Sequence, residues 1–100
     1  MNIVKTIVIM VGCHLLGDYV LQSDYIATTK GENWYHLIVH CALYTIPFAF
    51  ALGIHTALIA IFVSHIIIDA LKARWHKINY VTDQLLHYGV LTGITVVMLI

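Results

Sequence analysis

Four apolar stretches, each about as long as a helix that crosses a bilayer, dominate this sequence. A spanning helix needs about 20 largely apolar residues. We therefore predict membrane spans at residues 3–21, 34–53, 55–75 and 83–100. Pro47 lies inside the second stretch, where it should kink the helix without ending it. The prediction is an all-α fold, a four-transmembrane-helix up-and-down bundle, with the whole chain as a single integral membrane domain.

The composition agrees with a membrane protein. Hydrophobic residues make up 61% of the chain and charged residues only 10%, whereas about a quarter of the residues in a soluble domain are charged. The formal net charge is +0 and no run of basic residues occurs, so no nucleic acid is expected as a partner. Cys13 and Cys41 lie within apolar stretches, and we interpret both as packing residues outside any disulfide framework.

The basic residues predict the orientation of the bundle. Short connections between the spans place the two longer polar loops on one side of the membrane. That side receives Lys30, Lys72, Arg74 and Lys77, whereas the other side receives Lys5 and the terminal amine. By the positive-inside rule, the loop side faces the cytoplasm and both termini lie outside. Trp34, Tyr35, Trp75 and Tyr80 fall near the loop side, as expected for an interfacial aromatic belt.

Each predicted span carries one pair of metal-ligand-type residues spaced four apart. The pairs are His14 with Asp18, His36 with His40, His65 with Asp69, and Asp83 with His87. Residues i and i+4 share one face of a helix, so each pair can point in one direction. With seven histidines and five acidic residues in the chain, random placement would give about one such spacing. The sequence has five, because Glu32 also stands four before His36.

All four pairs are expected at similar depth near the loop side of the bundle. Five imidazoles and three carboxylates would then converge, and a cation would offset the cost of burying the carboxylates. This pattern predicts one or two divalent metal ions, with zinc favoured and manganese or iron as alternatives. The competing interpretation is that the pairs only join helices by hydrogen bonds, at about 0.6 kcal/mol each. His55 and His76 lack a partner at this spacing and are assigned to an interface and a loop.

The motifs HLLGDYVLQSD, KG, HLIVH, SHIIIDALKARW and DQLLH occur in order along the chain. In this the chain resembles a family of small bacterial and phage membrane proteins known only as a domain of unknown function, over residues 12–87. The resemblance implies a location in the bacterial inner membrane. The residues that match its motifs are His14, Asp18, Gln22, Asp24, His36, His40, His65, Asp69, Asp83, Gln84 and His87. More loosely, the His/Asp spacing is similar to that of membrane-bound metal-dependent hydrolases.

The leading hypothesis is a metal-dependent hydrolase that acts on a lipid or another membrane-associated substrate at the cytoplasmic interface. The eight paired residues would bind the metal, which would activate water and polarise the scissile group. Lys72, Arg74 and Lys77 would hold an anionic headgroup, although membrane anchoring explains these basic residues equally well. Membrane lipids are the expected partners. A homo-oligomer is also expected, because four short helices enclose little volume.

Three other functions fit the same pattern. The chief alternative is a metal-ion transporter, although transporter sites tend to lie at the bilayer midplane and these pairs lie toward one side. HLIVH has the form of a histidine box, which favours an iron-dependent oxygenase or desaturase, but the aspartates weaken that interpretation. A non-catalytic membrane effector with a structural metal is the third alternative. A closed set of protein ligands would favour it, and an open ligand position would favour catalysis.

Overall fold

Asparagine and serine side chains begin four of the helices. In the computed structural model, which describes residues 2–100, the Asn2 side chain accepts a hydrogen bond from the Lys5 N–H at 2.8 Å. Asn33, Asn79 and Ser23 cap the N–H groups of His36, Thr82 and Ile26 in the same way. Such caps satisfy backbone donors that have no partner inside the helix. The chain can therefore begin each helix directly after a polar loop.

The described chain is entirely helical, which confirms the predicted all-α class. The helices are α1 (Ile3–Leu15), α2 (Asp24–Thr29), α3 (Trp34–Leu52), α4 (Ala57–Ala73) and α5 (Tyr80–Leu99), and a π-helical turn (Leu16–Val20) continues α1. The four-helix prediction omitted α2, which lies in the first polar loop. Its six residues follow the Ser23 cap. The second helix of the prediction does continue through Pro47.

Two of the four predicted spans are long and apolar enough to cross a membrane. They are Ile3–Val20, which joins α1 to the π turn, and Trp34–Leu52, which is α3. This finding rests on helix length and apolar composition. A buried helix of a soluble protein meets the same two criteria. The predicted third span shortens to the 17 residues of α4, about 26 Å at 1.5 Å per residue. The predicted fourth span gains the polar turn that begins at Tyr80.

The four long helices pack as a closed ring. Helix α1 contacts α3 and α5, and α4 contacts the same two helices. One apolar cluster joins the four long helices and is formed by Met10, Tyr44, Phe48, Ile61 and Leu91. A second, smaller cluster joins α3 to α4 and contains Leu37, Cys41 and Ala70. Between them lies a polar interior.

The interior of the bundle contains more polar than apolar side chains. Among residues 2–100, nine hydrophobic residues are buried, against eleven polar or charged ones. Large apolar side chains instead cover the outside, as at Phe50, which is 88% exposed, and Val97, which is 71% exposed. Soluble proteins show the opposite distribution, with charged residues almost never fully buried unless paired. The outer surface of this bundle is therefore suited to an apolar solvent.

Gly17, in the π turn, allows α1 to approach α3 closely. A Cβ atom at Gly17 would lie 2.9 Å from the Cα and carbonyl oxygen of Tyr44. Neither backbone atom can rotate away, so any larger residue must push the two helices apart. Gly12 lies earlier in the chain, in α1. A Cβ atom at Gly12 would have no neighbouring atom within 4 Å. The two glycines therefore form a matched pair for a test of this packing.

We expect Gly17→Ala to lower the free energy of unfolding by about 1–3 kcal/mol, the usual cost of overpacking. Gly12→Ala should leave it unchanged or raise it slightly, since alanine favours helix and meets no neighbour. Denaturant titration of the detergent-purified variants measures both effects. Equal stability of the two variants would contradict the close approach of the π turn to Tyr44.

Candidate metal centre

Side chains from four segments meet between the two apolar clusters. We call this group the His/Asp cluster; its members are Asp18, His40, His65, Asp69, Asp83 and His87. All six are buried, the most exposed being Asp18 at 8%. The π turn supplies one member, α3 one, α4 two and α5 two. The predicted convergence of the paired residues is therefore present for these six.

Asp18, His40 and His65 form the first triad of the cluster. One ligand atom of each lies within 4.8 Å of the others, a spacing suited to a single metal ion. The two imidazole Nε2 atoms are 2.9 Å apart, and Asp18 Oδ1 lies 3.4 Å from one and 3.6 Å from the other. The ring of Tyr44 stacks on His65 at a centroid distance of 3.7 Å. This stacking limits rotation of the His65 ring.

Asp18, Asp83 and His87 form the second triad, with the same spacing of ligand atoms. Asp83 Oδ1 and His87 Nε2 lie 3.5 Å apart. Neither atom has a hydrogen-bond partner among residues 2–100, although both are buried. A bound cation would satisfy both atoms, since carboxylate oxygen and imidazole nitrogen are ligands of zinc, manganese and iron. Because Asp18 belongs to both triads, the cluster has the form of two adjoining sites with one shared carboxylate.

His14 lies beside the cluster with both ring nitrogens occupied. Its Nε2–H donates to Gln84 Oε1 at 2.9 Å, so Nδ1 of the neutral ring accepts from the Tyr44 hydroxyl at 2.7 Å. The Gln84 amide in turn donates to Asp18 Oδ2 and Asp83 Oδ2, each at 3.0 Å. Gln84 therefore holds one carboxylate of each triad in place, and His14 orients Gln84.

Two lysines neutralise part of the negative charge of the cluster. Lys30, which is only 5% exposed, donates to Asp69 Oδ2 at 2.8 Å and to Gln22 Oε1 at 2.7 Å. Lys72 approaches Asp83 Oδ2 at 3.5 Å and Asp69 Oδ1 at 3.8 Å. His40 Nε2 lies 3.2 Å from the same oxygen that Lys30 binds. Asp69 is thus anchored mainly by Lys30 and His40.

His36, the eighth predicted ligand, lies apart from the cluster. Its Nδ1 pairs with the Thr29 hydroxyl at 2.6 Å, and its ring lies against Tyr25 at a centroid distance of 5.1 Å. His36 stands one helical turn before His40, which brings it level with α2 near the end of the bundle. The contact therefore joins α2 to α3.

One comparison with known proteins identifies a family. The model of the family described as "Protein of unknown function (DUF3307)" matches residues 6–100. The chain belongs to this family. No curated protein and no solved structure matches the chain. Membership in DUF3307 confirms the predicted resemblance to a domain of unknown function, and it carries no statement about membranes or hydrolysis.

The DUF3307 match includes both triads and the residues around them. Four of these neighbours were not predicted as site residues: Gln22, Lys30, Tyr44 and Gln84. The two glutamines were already visible in the motifs HLLGDYVLQSD and DQLLH, next to predicted ligands. Lys30 stands in the KG motif and Tyr44 in none of the motifs, and the sequence gives no sign of their partners, which lie 39 and 30 positions away.

Proposed function

We propose that this protein is an integral membrane metalloenzyme, a hydrolase that acts on a lipid or another membrane-associated substrate. The observation that carries the proposal is the buried His/Asp cluster inside a bundle whose outer surface is apolar. Both triads are formed by residue types that ligate divalent metals, and both contain buried ligand atoms close together. Zinc is the favoured ion, with one or two ions per chain.

The distribution of side chains supports insertion in a membrane. In water, exposure of large apolar side chains such as Phe50, Ile54 and Val97 would be unfavourable. In a bilayer, lipid covers this apolar surface, and the eight buried ionisable groups of residues 2–100 avoid the hydrocarbon because they face the interior of the bundle and pair with one another. The two apolar helices α1 and α3 fit this arrangement. The shorter α4 would require local thinning of the bilayer.

The basic residues support a cytoplasmic location for the cluster. Arg74 stacks over the Trp34 ring at 3.9 Å, and Trp34 contacts Trp75 at a centroid distance of 6.1 Å. These contacts place both longer loops at one end of the bundle. Lys30 and Lys72 lie at that end too, so the positive-inside rule favours a cytoplasmic location for it.

Within the proposed site, a metal bound by the triads would supply the Lewis acidity needed to activate water and to polarise a phosphoryl or carbonyl group. His40, His65 and Asp18 would hold it in the first triad, and Asp83 and His87 in the second. The remaining carboxylate, Asp69, keeps Oδ2 on Lys30. Its Oδ1 has no hydrogen-bond partner in the described chain. That atom would be the carboxylate oxygen of Asp69 available to accept a proton from water.

The test is metal content and hydrolysis measured on the same detergent-purified sample. We expect one or two equivalents of zinc, manganese or iron per chain by mass spectrometry. We also expect metal-dependent cleavage of at least one member of a panel of phosphate and carboxylate ester lipids, abolished by a chelator and restored by the ion. His65→Gln should lose both properties. His55→Gln, an exposed histidine outside both triads, should keep both.

Two results would contradict the proposal. Absence of metal from the wild-type protein at every loading would remove the metal centre itself. Full metal content without hydrolysis of any ester would leave the centre intact and remove the enzyme, which would favour transport or a structural ion.

A further inference from the structure

A polar pocket opens beside the His/Asp cluster at the end of the bundle that carries the longer loops. Its volume is about 500 Å³, and its lining includes Gln22, Lys30, Gly31, Glu32, Lys72 and Arg74. This volume falls within the range of small-molecule sites, about 300–1,000 Å³. The wall is tight where the turn after α2 meets the end of α4, because a Cβ atom at Gly31 would lie only 2.3 Å from the Ala73 carbonyl oxygen. The pocket is thus a fixed feature of the packing.

Arg74 offers the pocket a cation without an anionic partner. Its guanidinium lies over Trp34, which holds the group in position by a cation–π contact. Its Nε and Nη1 are buried, yet neither has an acceptor within residues 2–100. Among residues 2–100, no carboxylate oxygen lies within 4.0 Å of the Arg74 guanidinium. The ion pairs near the pocket are formed by Lys30 and Lys72. Buried donors of this kind normally have a partner.

The lysines connect this pocket directly to the cluster. Lys30 binds Asp69, and Lys72 lies between Asp69 and Asp83. The two ammonium groups offset two of the three carboxylates of the cluster, and Glu32 also lines the pocket. The buried Nε and Nη1 donors of Arg74 remain without an acceptor among residues 2–100. An anion is the ligand that would satisfy these donors.

We propose that this pocket binds the phosphate group of a substrate whose scissile bond lies over the His/Asp cluster. Guanidinium and ammonium donors together are the usual protein ligands of phosphate. This inference rests on the proposed function for the position of the scissile bond, but phosphate binding itself depends only on Lys30, Lys72 and Arg74. The substrate class is thus a phosphate ester, with its phosphate exposed to the cytoplasmic interface.

The test is equilibrium binding to the full-length protein in a neutral detergent, with a chelator present so that no metal contributes. Calorimetry with inorganic phosphate forms one arm, and titration with micelle-dispersed short-chain phosphatidic acid forms the other. We expect saturable binding of phosphatidic acid. Arg74→Gln should weaken it by about tenfold or more, the effect of losing a charged hydrogen bond. Lys5→Gln, which removes an equal charge from an exposed residue of α1 outside the pocket, should change binding by less than about twofold.

Phosphatidic acid binding identifies a lipid phosphate, and binding of inorganic phosphate alone identifies a soluble phosphate ester; both support the pocket. Wild-type protein that binds neither ligand overturns the proposal, whether or not the variants fold. Equal losses in Arg74→Gln and Lys5→Gln overturn it too, because they indicate general electrostatic attraction. Metal content separates this result from the proposed function, since Arg74→Gln should retain the metal of the wild type.

Discussion

Asp18→Asn is expected to abolish metal binding, because Asp18 is the one residue that both triads share. The amide has nearly the shape of the carboxylate, so packing around Gly17 and Gln84 should persist. It lacks the charge that holds a divalent cation and presents donors toward His40 and His65. Metal content measured by mass spectrometry should fall from one or two equivalents to background, and hydrolysis should fall with it.

A matched change at Asp24 controls for this result. Asp24 is exposed on α2, so Asp24→Asn removes the same charge without touching either triad and should keep the metal. His65→Gln and His87→Gln then test the two triads separately, since His65 and His87 each belong to a single triad. Full metal content in Asp18→Asn would show that the triads are not the binding sites.

Lys30→Met is expected to destabilise the fold by about 3–5 kcal/mol, because it leaves the buried carboxylate of Asp69 without its cation. The Lys30 Nζ lies 2.8 Å from Asp69 Oδ2, and both side chains are almost fully buried. Denaturant titration in detergent, with a chelator present, measures the loss. Lys77→Met removes an exposed ammonium and should change stability by less than about 0.5 kcal/mol.

The double variant Lys30→Met/Asp69→Leu completes this test. Replacement of both partners of a buried ion pair by apolar residues is often neutral or stabilising. We expect it to recover at least half of the stability lost in Lys30→Met, with His40, His65 and Lys72 as the remaining polar neighbours. No difference between Lys30→Met and Lys77→Met would contradict a buried Lys30–Asp69 pair.

Much of the fold could be predicted because it follows from local patterns. Apolar stretches define the four long helices, asparagine caps begin three of them, and the i, i+4 spacing gives each paired face. In the pair Asp83 and His87, both residues enter the cluster as their spacing predicts. His65 and Asp69 likewise both point inward. Short connections then bring the faces together, which requires no knowledge of distant contacts.

The remaining features depend on contacts that no local pattern encodes. His36 has the same spacing to His40 as the other pairs, yet α2 forms in the loop and provides Thr29 as its partner. His14 was predicted as a ligand, but Tyr44 and Gln84 occupy its nitrogens from helices 30 and 70 positions away. The pairing of Lys30 with Asp69 is equally remote in sequence. Only the packed bundle determines these partners.

The position of the Asp18 carboxylate, which both triads share, depends on the number of residues in the π turn (Leu16–Val20) as well as on their types. The Leu21 N–H bonds to the carbonyl oxygen of Leu16, five positions earlier, so this turn holds one residue more than an α-helical turn. Deletion of a single residue before Asp18 in this turn would shift the carboxylate to the preceding position of the helix, about 100° around its axis. Asp18 would then leave the centre although no ligand had been substituted. Loss of one codon in this segment would thus disconnect the two triads from each other.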